Sequence, residues 1–238
     1  MNTHQPRSTL KLPFQFNEEK LKRDLETLLA SKWKPHFNQR VYECNWNSIA
    51  LYAVGGDQSN IFAAGDKEIK ETSLLHDVRY IKEVIDQFKC PLLSVRLLKL
   101  EKGAYIKPHR DYNLGYEDCN FRIHIPIVTN PDVNFTLDGE RIEMKIGECW
   151  YTNVNYVHSV SNEGSTDRIH LVIDCERNEW TDKIFFSLAP RDSFLPNTEE
   201  EYSLETMKSI RNELLLMSAD GAIEAIKDID NKIEVLGE

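Results

Sequence analysis

RIHIPIV (residues 122–128) and RIHLVID (168–174) carry one and the same alternation. In the first, Ile123, Ile125 and Ile127 fall on one side and Arg122, His124 and Pro126 on the other. In the second, Ile169, Leu171 and Ile173 oppose Arg168, His170, Val172 and Asp174. Successive residues of a strand point to opposite faces, so each segment has an apolar and a polar face. Either the polar faces lie in water, or helices cover the apolar faces and the R-x-H faces turn into a barrel. In the second case the buried arginines require an anion.

The surrounding sequence has the texture of antiparallel sheet. From 92 to 176, short runs rich in Val, Ile, Leu, Phe and Trp are broken by Asn-Pro, Asp-Gly and Gly-Glu signals every eight to twelve residues, the spacing of a sandwich or barrel. Asp138-Gly139 reads as a hairpin turn between VNFTL and RIEMKI. Helical spacing lies outside this block. Behind Asn17 as N-cap, Leu21, Leu25, Leu28 and Leu29 form one apolar stripe; Leu74, Val78, Ile81, Ile85 and Phe88 form another, stopped by Pro91. Trp46 begins a strand-like run that ends at Gly55-Gly56. Beyond APRDSFLPNT, Thr198 and Glu201 fit a capping box, and two stripes follow, Leu204/Met207/Ile210/Leu214 and Ile223/Ile226/Ile233/Leu236. The expected fold is mainly β: residues 1–190 form a double-stranded β-helix domain (the jelly roll of cupin-like proteins) with N-terminal helices, and 191–238 a C-terminal helical pair. The C-terminal stripes would pack on the barrel or form a homodimer contact.

Composition narrows the function. Of 238 residues, 29 are Lys or Arg and 39 Asp or Glu, a net charge of −10. Without a basic cluster to track phosphates, nucleic acid is not an expected partner. The five cysteines stand singly with no C-x-x-C, which argues against a disulfide framework and a zinc ribbon and for a reducing cytosol. No apolar run approaches the roughly 20 residues of a membrane span, and the N-terminal segment lacks the apolar stretch of a signal peptide; a cytoplasmic protein with no membrane partner is expected.

KPHRDYN (107–113) places His109 and Asp111 two apart, so on a strand both side chains reach the same point. An isolated H-x-D is usually a turn; here His158 supplies a third group, ten residues before Arg168. Two imidazoles and one carboxylate make the facial set of non-haem Fe(II), with coordination positions left for a bidentate 2-oxoacid and O2. Arg168, facing inward, is placed to hold the far carboxylate of 2-oxoglutarate. Trp46, Tyr112 and Asn113 flank the inferred mouth as candidate substrate-binding residues. His170 shares the face of Arg168 and reads either as a donor supporting the site or as a packed, hydrogen-bonded side chain.

The run H109-R-D111, F121-R122-I-H124, G147-E-C-W150, H158 and R168 resembles the aspartyl/asparaginyl β-hydroxylase family of Fe(II)- and 2-oxoglutarate-dependent oxygenases, most of all its bacterial branch of proline cis-3-hydroxylase type. The resemblance covers roughly residues 40 to 180. It implies that His109, Asp111 and His158 bind iron, that Arg168 anchors 2-oxoglutarate, that His124 lies beside it, and that Arg122 binds a carboxylate of cosubstrate or substrate. The implied enzyme is a dioxygenase that hydroxylates a C–H bond of a small amino-acid-like substrate and releases succinate and CO2. A β-hydroxylase of Asp or Asn side chains in a peptide is the alternative within the family, and a metal-holding cupin-like sensor the alternative outside enzymes. The family's peptide hydroxylase lacks the carboxylate at the position of Asp111 and has a serine where this chain has Leu98, with Arg96 two residues earlier on the same face.

Overall fold

The computed structural model describes residues 5–36, 41–61 and 67–195, and the single positions 208, 211, 226, 230 and 233. The chain divides into two compact units, Met1–Pro196 and Asn197–Glu238. The capping box at Thr198, and most of the C-terminal stripes with the homodimer contact they would form, lie outside the described residues.

Among the described residues thirteen strands build the first unit: β1 Thr9–Gln15, β2 Lys34–Pro35, β3 Tyr42–Glu43, β4 Trp46–Val54, β5 Ile69–Glu71, β6 Leu92–Leu100, β7 Tyr105–His109, β8 Asn120–Val128, β9 Val133–Leu137, β10 Glu140–Ile142, β11 Glu148–Thr152, β12 His158–Asn162 and β13 Arg168–Glu176. Three α-helices accompany them among the described residues of this unit, α1 Glu18–Leu28, α2 Arg79–Ile85 and α3 Glu179–Leu188. The larger sheet runs β1-β11-β8-β13-β6-β4-β2, with β5 on β4, and the smaller runs β10-β9-β12-β7-β3; the pairings are antiparallel. This is the double-stranded β-helix.

The repeated alternation resolves as the second of its two placements. Ile123, Ile125, Ile127, Leu171 and Ile173 join Leu21, Leu25, Leu28, Ile81, Ile85 and Phe185 in one buried cluster, so helices cover the outer face of the larger sheet. The opposite face points between the sheets, where Leu98, Leu100, Ile106, Phe135, Leu137, Val160 and Val172 form a second cluster. Arg96, His124, Arg168, His170 and Asp174 are buried there too. Asp138 and Gly139, at φ 52° and 81°, turn the β9–β10 hairpin in the conformation that Asp-Gly favours.

Four local features differ from the sequence expectation or have none. Leu29, expected on the apolar stripe, is 52% exposed, because α1 ends at Leu28. The helix expected over 72–89 is a short 3-10 turn, Ser73–Asp77, and then α2, broken at Val78 with φ −126° and ψ 73°. The break leaves N–H groups at the start of α2, and Asp24 of α1 accepts one of them, from Ile81, at 2.8 Å. TLKLPFQ (9–15), to which the sequence reading assigns no element, is the edge strand β1, paired to β11. Finally, α3 follows β13 directly. Asn178 caps it by accepting from the Trp180 and Thr181 amides at 3.1 Å, and Thr181 Oγ1 accepts from the Asn178 amide at 2.9 Å.

Phe185 of α3 stacks on Tyr116, ring centroids 4.0 Å apart, and is 1% exposed. Phe185→Ala should lower the unfolding free energy by about 3–5 kcal/mol in a urea titration. Its metal affinity should stay at the parent value, since the cavity opens on the outer face of the sheet.

Candidate active site and metal centre

Neighbouring strands β7 and β12 set His109 directly opposite His158, with ring centroids 4.2 Å apart. Asp111 continues the alternation past the end of β7, its amide held by the Val154 carbonyl at 2.9 Å. One ligand atom from each of His109, Asp111 and His158 lies within 4.8 Å of the others. The tautomers follow from the hydrogen bonds. His109 Nδ1 is 2.8 Å from the Lys107 carbonyl and His158 Nδ1 3.1 Å from the Tyr156 carbonyl. A carbonyl only accepts, so each Nδ1 carries the proton and each Nε2 keeps its lone pair for a metal. Burial, and then His109, push the His158 imidazole down to about 4, so it is neutral at pH 7.

Asp111 is aimed by an arginine. Arg122 Nη1 donates to its Oδ2 at 2.7 Å, while Oδ1 lies 3.9 Å from His109 Nε2. Burial would raise the Asp111 carboxyl, but Arg122, with the two histidines, outweighs it and holds it below the usual range. Arg122 is itself fixed. Its Nε and Nη2 donate to the two oxygens of Asp174 at 2.7 and 3.2 Å, and Asp174 also accepts from Arg96 Nη2 at 2.6 Å and Ser94 Oγ at 2.8 Å. The strand register arranges this, for Asp174 pairs with Arg122 on β8 and with Ser94 on β6. Burial alone would raise the Asp174 carboxyl; Arg122 and Arg96 hold it well below the usual carboxylate range.

Farther along β13, Arg168 is in the opposite situation. It is 2% exposed, its Nε has no hydrogen-bond partner, and no carboxylate among the described residues pairs with it. Uncompensated burial pushes its guanidinium down to about 9. His124 and His170 lie beside it, 5.6 Å apart, both buried and both held neutral by burial and then by Arg168. A cavity of about 420 Å³ opens at Arg168 and His170, walled by Phe135, Ile142 and Met144. A buried guanidinium with unfilled donors is the requirement of an incoming carboxylate. Both halves of the site therefore suit the groups expected from the sequence, a divalent iron at the triad and a 2-oxoacid at Arg168.

The other expected residues are spread. Trp46 is buried, stacked on His36 at 3.5 Å, with its Nε1 unpaired. Tyr112 is 76% exposed, and Asn113 adopts φ 60° in the turn beyond Asp111. Two residues of the network escaped the sequence reading. His36, buried and pushed down to about 3 by burial and then by Arg96 and Arg122, directly follows the two-residue edge strand β2, which has no sequence signal. Asp174 had one: it shares the face of Arg168, and a carboxylate buried there needs cations.

The pattern of the aspartyl/asparaginyl beta-hydroxylase family matches residues 15–178. The chain belongs to that family. It is an Fe(II)- and 2-oxoglutarate-dependent hydroxylase, with the triad His109, Asp111 and His158 as the candidate iron site. L-proline cis-4-hydroxylase of Rhizobium meliloti (strain 1021) is 26% identical over 216 residues, which cover 89% of this chain and 71% of that one. L-proline cis-3-hydroxylase 1 of Streptomyces sp is 28% identical over 165 residues, covering 67% and 57%. In fold this family member is similar to an oxidoreductase of the 2OG-Fe(II) oxygenase family from Burkholderia pseudomallei, with a TM-score of 0.50 and 15% identity over 72% of this chain and 85% of that one. No helix among the described residues is long and apolar enough to cross a membrane.

Because the folded-state values of Asp174 and Asp111 lie below the unfolded ones, the stability they contribute is present above about pH 4 and is lost as pH falls further. Urea titrations from pH 7 downward should show that loss. Asp174→Asn should be about 3–5 kcal/mol less stable at pH 7, since it removes a partner from two buried cations, and should show a shallower decline with acid.

Proposed function

We propose that the protein hydroxylates one C–H bond of a small, free or N-acylated amino acid in the cytoplasm. The observation that carries this substrate class is the match, over 89% of the chain, to a relative named as an L-proline hydroxylase. The site geometry supports the chemistry. In this reading His109, Asp111 and His158 hold Fe(II), Arg168 holds the distal carboxylate of 2-oxoglutarate, and His124 lies beside the cosubstrate. With iron, 2-oxoglutarate and O2 bound, the site supplies the oxidising power that inserts one oxygen atom into a C–H bond and releases succinate and CO2.

The chain's own residues do the rest. The carbonyls of Lys107 and Tyr156 fix both imidazoles with Nε2 inward. Arg122 keeps Asp111 ionised and turned, and its N–H groups not engaged by Asp111 and Asp174 are available to a substrate carboxylate. Of the candidate substrate-binding residues, Tyr112 and Asn113 follow Asp111 directly and stand nearest in sequence to an incoming substrate, while Trp46 packs in the apolar cluster between the sheets. The apolar lining contributed by Leu98, Leu100, Phe135 and Leu137 keeps bulk water from the reacting groups.

A screen of free and acylated amino acids, proline included, for succinate release and a mass gain of one oxygen tests this reading. Turnover confined to Asp- or Asn-containing peptides would replace the substrate class, and metal binding without turnover of any candidate would leave a sensor. His109→Ala and His158→Ala should each lose metal binding in a Co(II) titration and lose activity, with unchanged circular dichroism. Arg168→Leu should spare metal affinity and weaken 2-oxoglutarate binding by roughly 30- to several-thousand-fold, the equivalent of about 2–5 kcal/mol.

A further inference from the structure

Arg168 and His170 lie two apart on β13 and face the same way, and Arg168 Nη2 is 3.1 Å from His170 Nδ1. A guanidinium has no lone pair to offer, so the imidazole accepts and its own proton sits on Nε2. This hydrogen bond is the polar contact that orients Arg168. Its Nε is unpaired, and its planar group otherwise rests over the Phe135 ring at 5.9 Å. On the neighbouring strands the residues directly opposite His170, Leu98 and Pro126, offer no polar side-chain group, and His124, the other imidazole near Arg168, leaves its Nδ1 without a hydrogen-bond partner. The roughly 420 Å³ cavity opens at both side chains, so packing does not fix the guanidinium on that side if the contact is lost.

We propose that His170 is a positioning residue for the cosubstrate: as a neutral acceptor it turns the Arg168 guanidinium toward the incoming dicarboxylate without cancelling its charge. The proposal rests on the reading of Arg168 as the 2-oxoglutarate anchor. Neutrality is the essential property. A carboxylate at this position would hold the guanidinium more tightly, but it would occupy the charge that the ligand needs, as Asp174 does for Arg122 and Arg96. The contrast between the two ends of β13 follows directly. Its Asp174 end ties its arginines to the chain's own carboxylate, whereas its Arg168 end offers a charge to a ligand.

The test is calorimetric titration of 2-oxoglutarate onto the Ni(II)-loaded full chain, with the Ni(II) affinity and melting temperature of each variant measured beside it. His170→Phe keeps the ring and removes the acceptor; His170→Gln keeps an acceptor; Arg168→Leu removes the anchor. His170→Phe should weaken 2-oxoglutarate binding about 10- to 150-fold, the loss of one hydrogen bond to a charged group, with Ni(II) affinity unchanged. His170→Gln should recover most of that loss, and in turnover assays the defect of the Phe variant should appear in KM for 2-oxoglutarate and not in kcat. Wild-type-like binding by His170→Phe, or equal defects in the Phe and Gln variants, overturns the proposal while Arg168→Leu remains impaired. Wild-type-like binding by Arg168→Leu overturns the anchor reading itself, and the role of His170 with it.

Discussion

The geometry of the site depends on a carboxylate that touches neither the metal position nor the cavity. Asp174, 0% exposed between the two sheets, anchors Arg122 through both of its oxygens, and Arg122 then reaches Asp111 at the mouth. Each link is costly alone and stable only in the chain. Burying Asp174 without cations, or Arg122 without carboxylates, would carry a desolvation penalty of several kcal/mol. The chain of charge-assisted bonds spans β6, β8 and β13 and ends with one oxygen of Asp111 engaged and the other facing His109 Nε2. The carboxylate of an H-x-D turn is thereby given one orientation.

The same strand carries the opposite arrangement at its other end. Arg168 is buried with a neutral imidazole and an aromatic face and without a carboxylate. Compensated and uncompensated arginines thus divide the interior, Arg96 and Arg122 tied to the chain's own carboxylates beside the candidate metal site and Arg168 buried without one. The smaller sheet contributes the two imidazoles from adjacent strands, and the helices, on the far side of the larger sheet, supply the apolar burial that holds its inward face in register. Packing and chemistry use opposite faces of β8 and β13, which is why both can be dense without competing.

Those opposite faces are also what made much of the protein legible in its sequence. Period-two alternation in 122–128 and 168–174 separates Ile from Arg and His, and the placement with the polar face inward needs only the amphipathic helix behind Asn17 to cover the apolar one. His109, Asp111 and His158 could be grouped because H-x-D on a strand projects both side chains to one point. What escaped the sequence reading depended on tertiary partners. The edge strand β1 has alternating Leu10 and Leu12 but gains its hydrogen bonds only from β11. The break at Val78 interrupts an unbroken apolar stripe and is supported by Asp24 of another helix. In α3 the run of Trp180, Ile184, Phe185 and Phe186 continues the aromatic texture of the preceding strands and obscures the Asn178 cap. His36 follows the edge strand β2, two residues long and too short for any period to appear, and its amide donates to the Trp46 carbonyl at 2.8 Å.

A double-mutant cycle on metal affinity tests the Asp174–Arg122–Asp111 relay most directly, using Co(II) titrations of the parent, Arg122→Leu, Asp111→Gly and the double variant. If Arg122 acts on the metal by aiming Asp111, Arg122→Leu weakens Co(II) binding about 10- to 100-fold in the parent. It then causes no further loss once Asp111 is glycine. Losses that multiply in the double variant, or an Arg122→Leu protein with the parent affinity, would contradict the account.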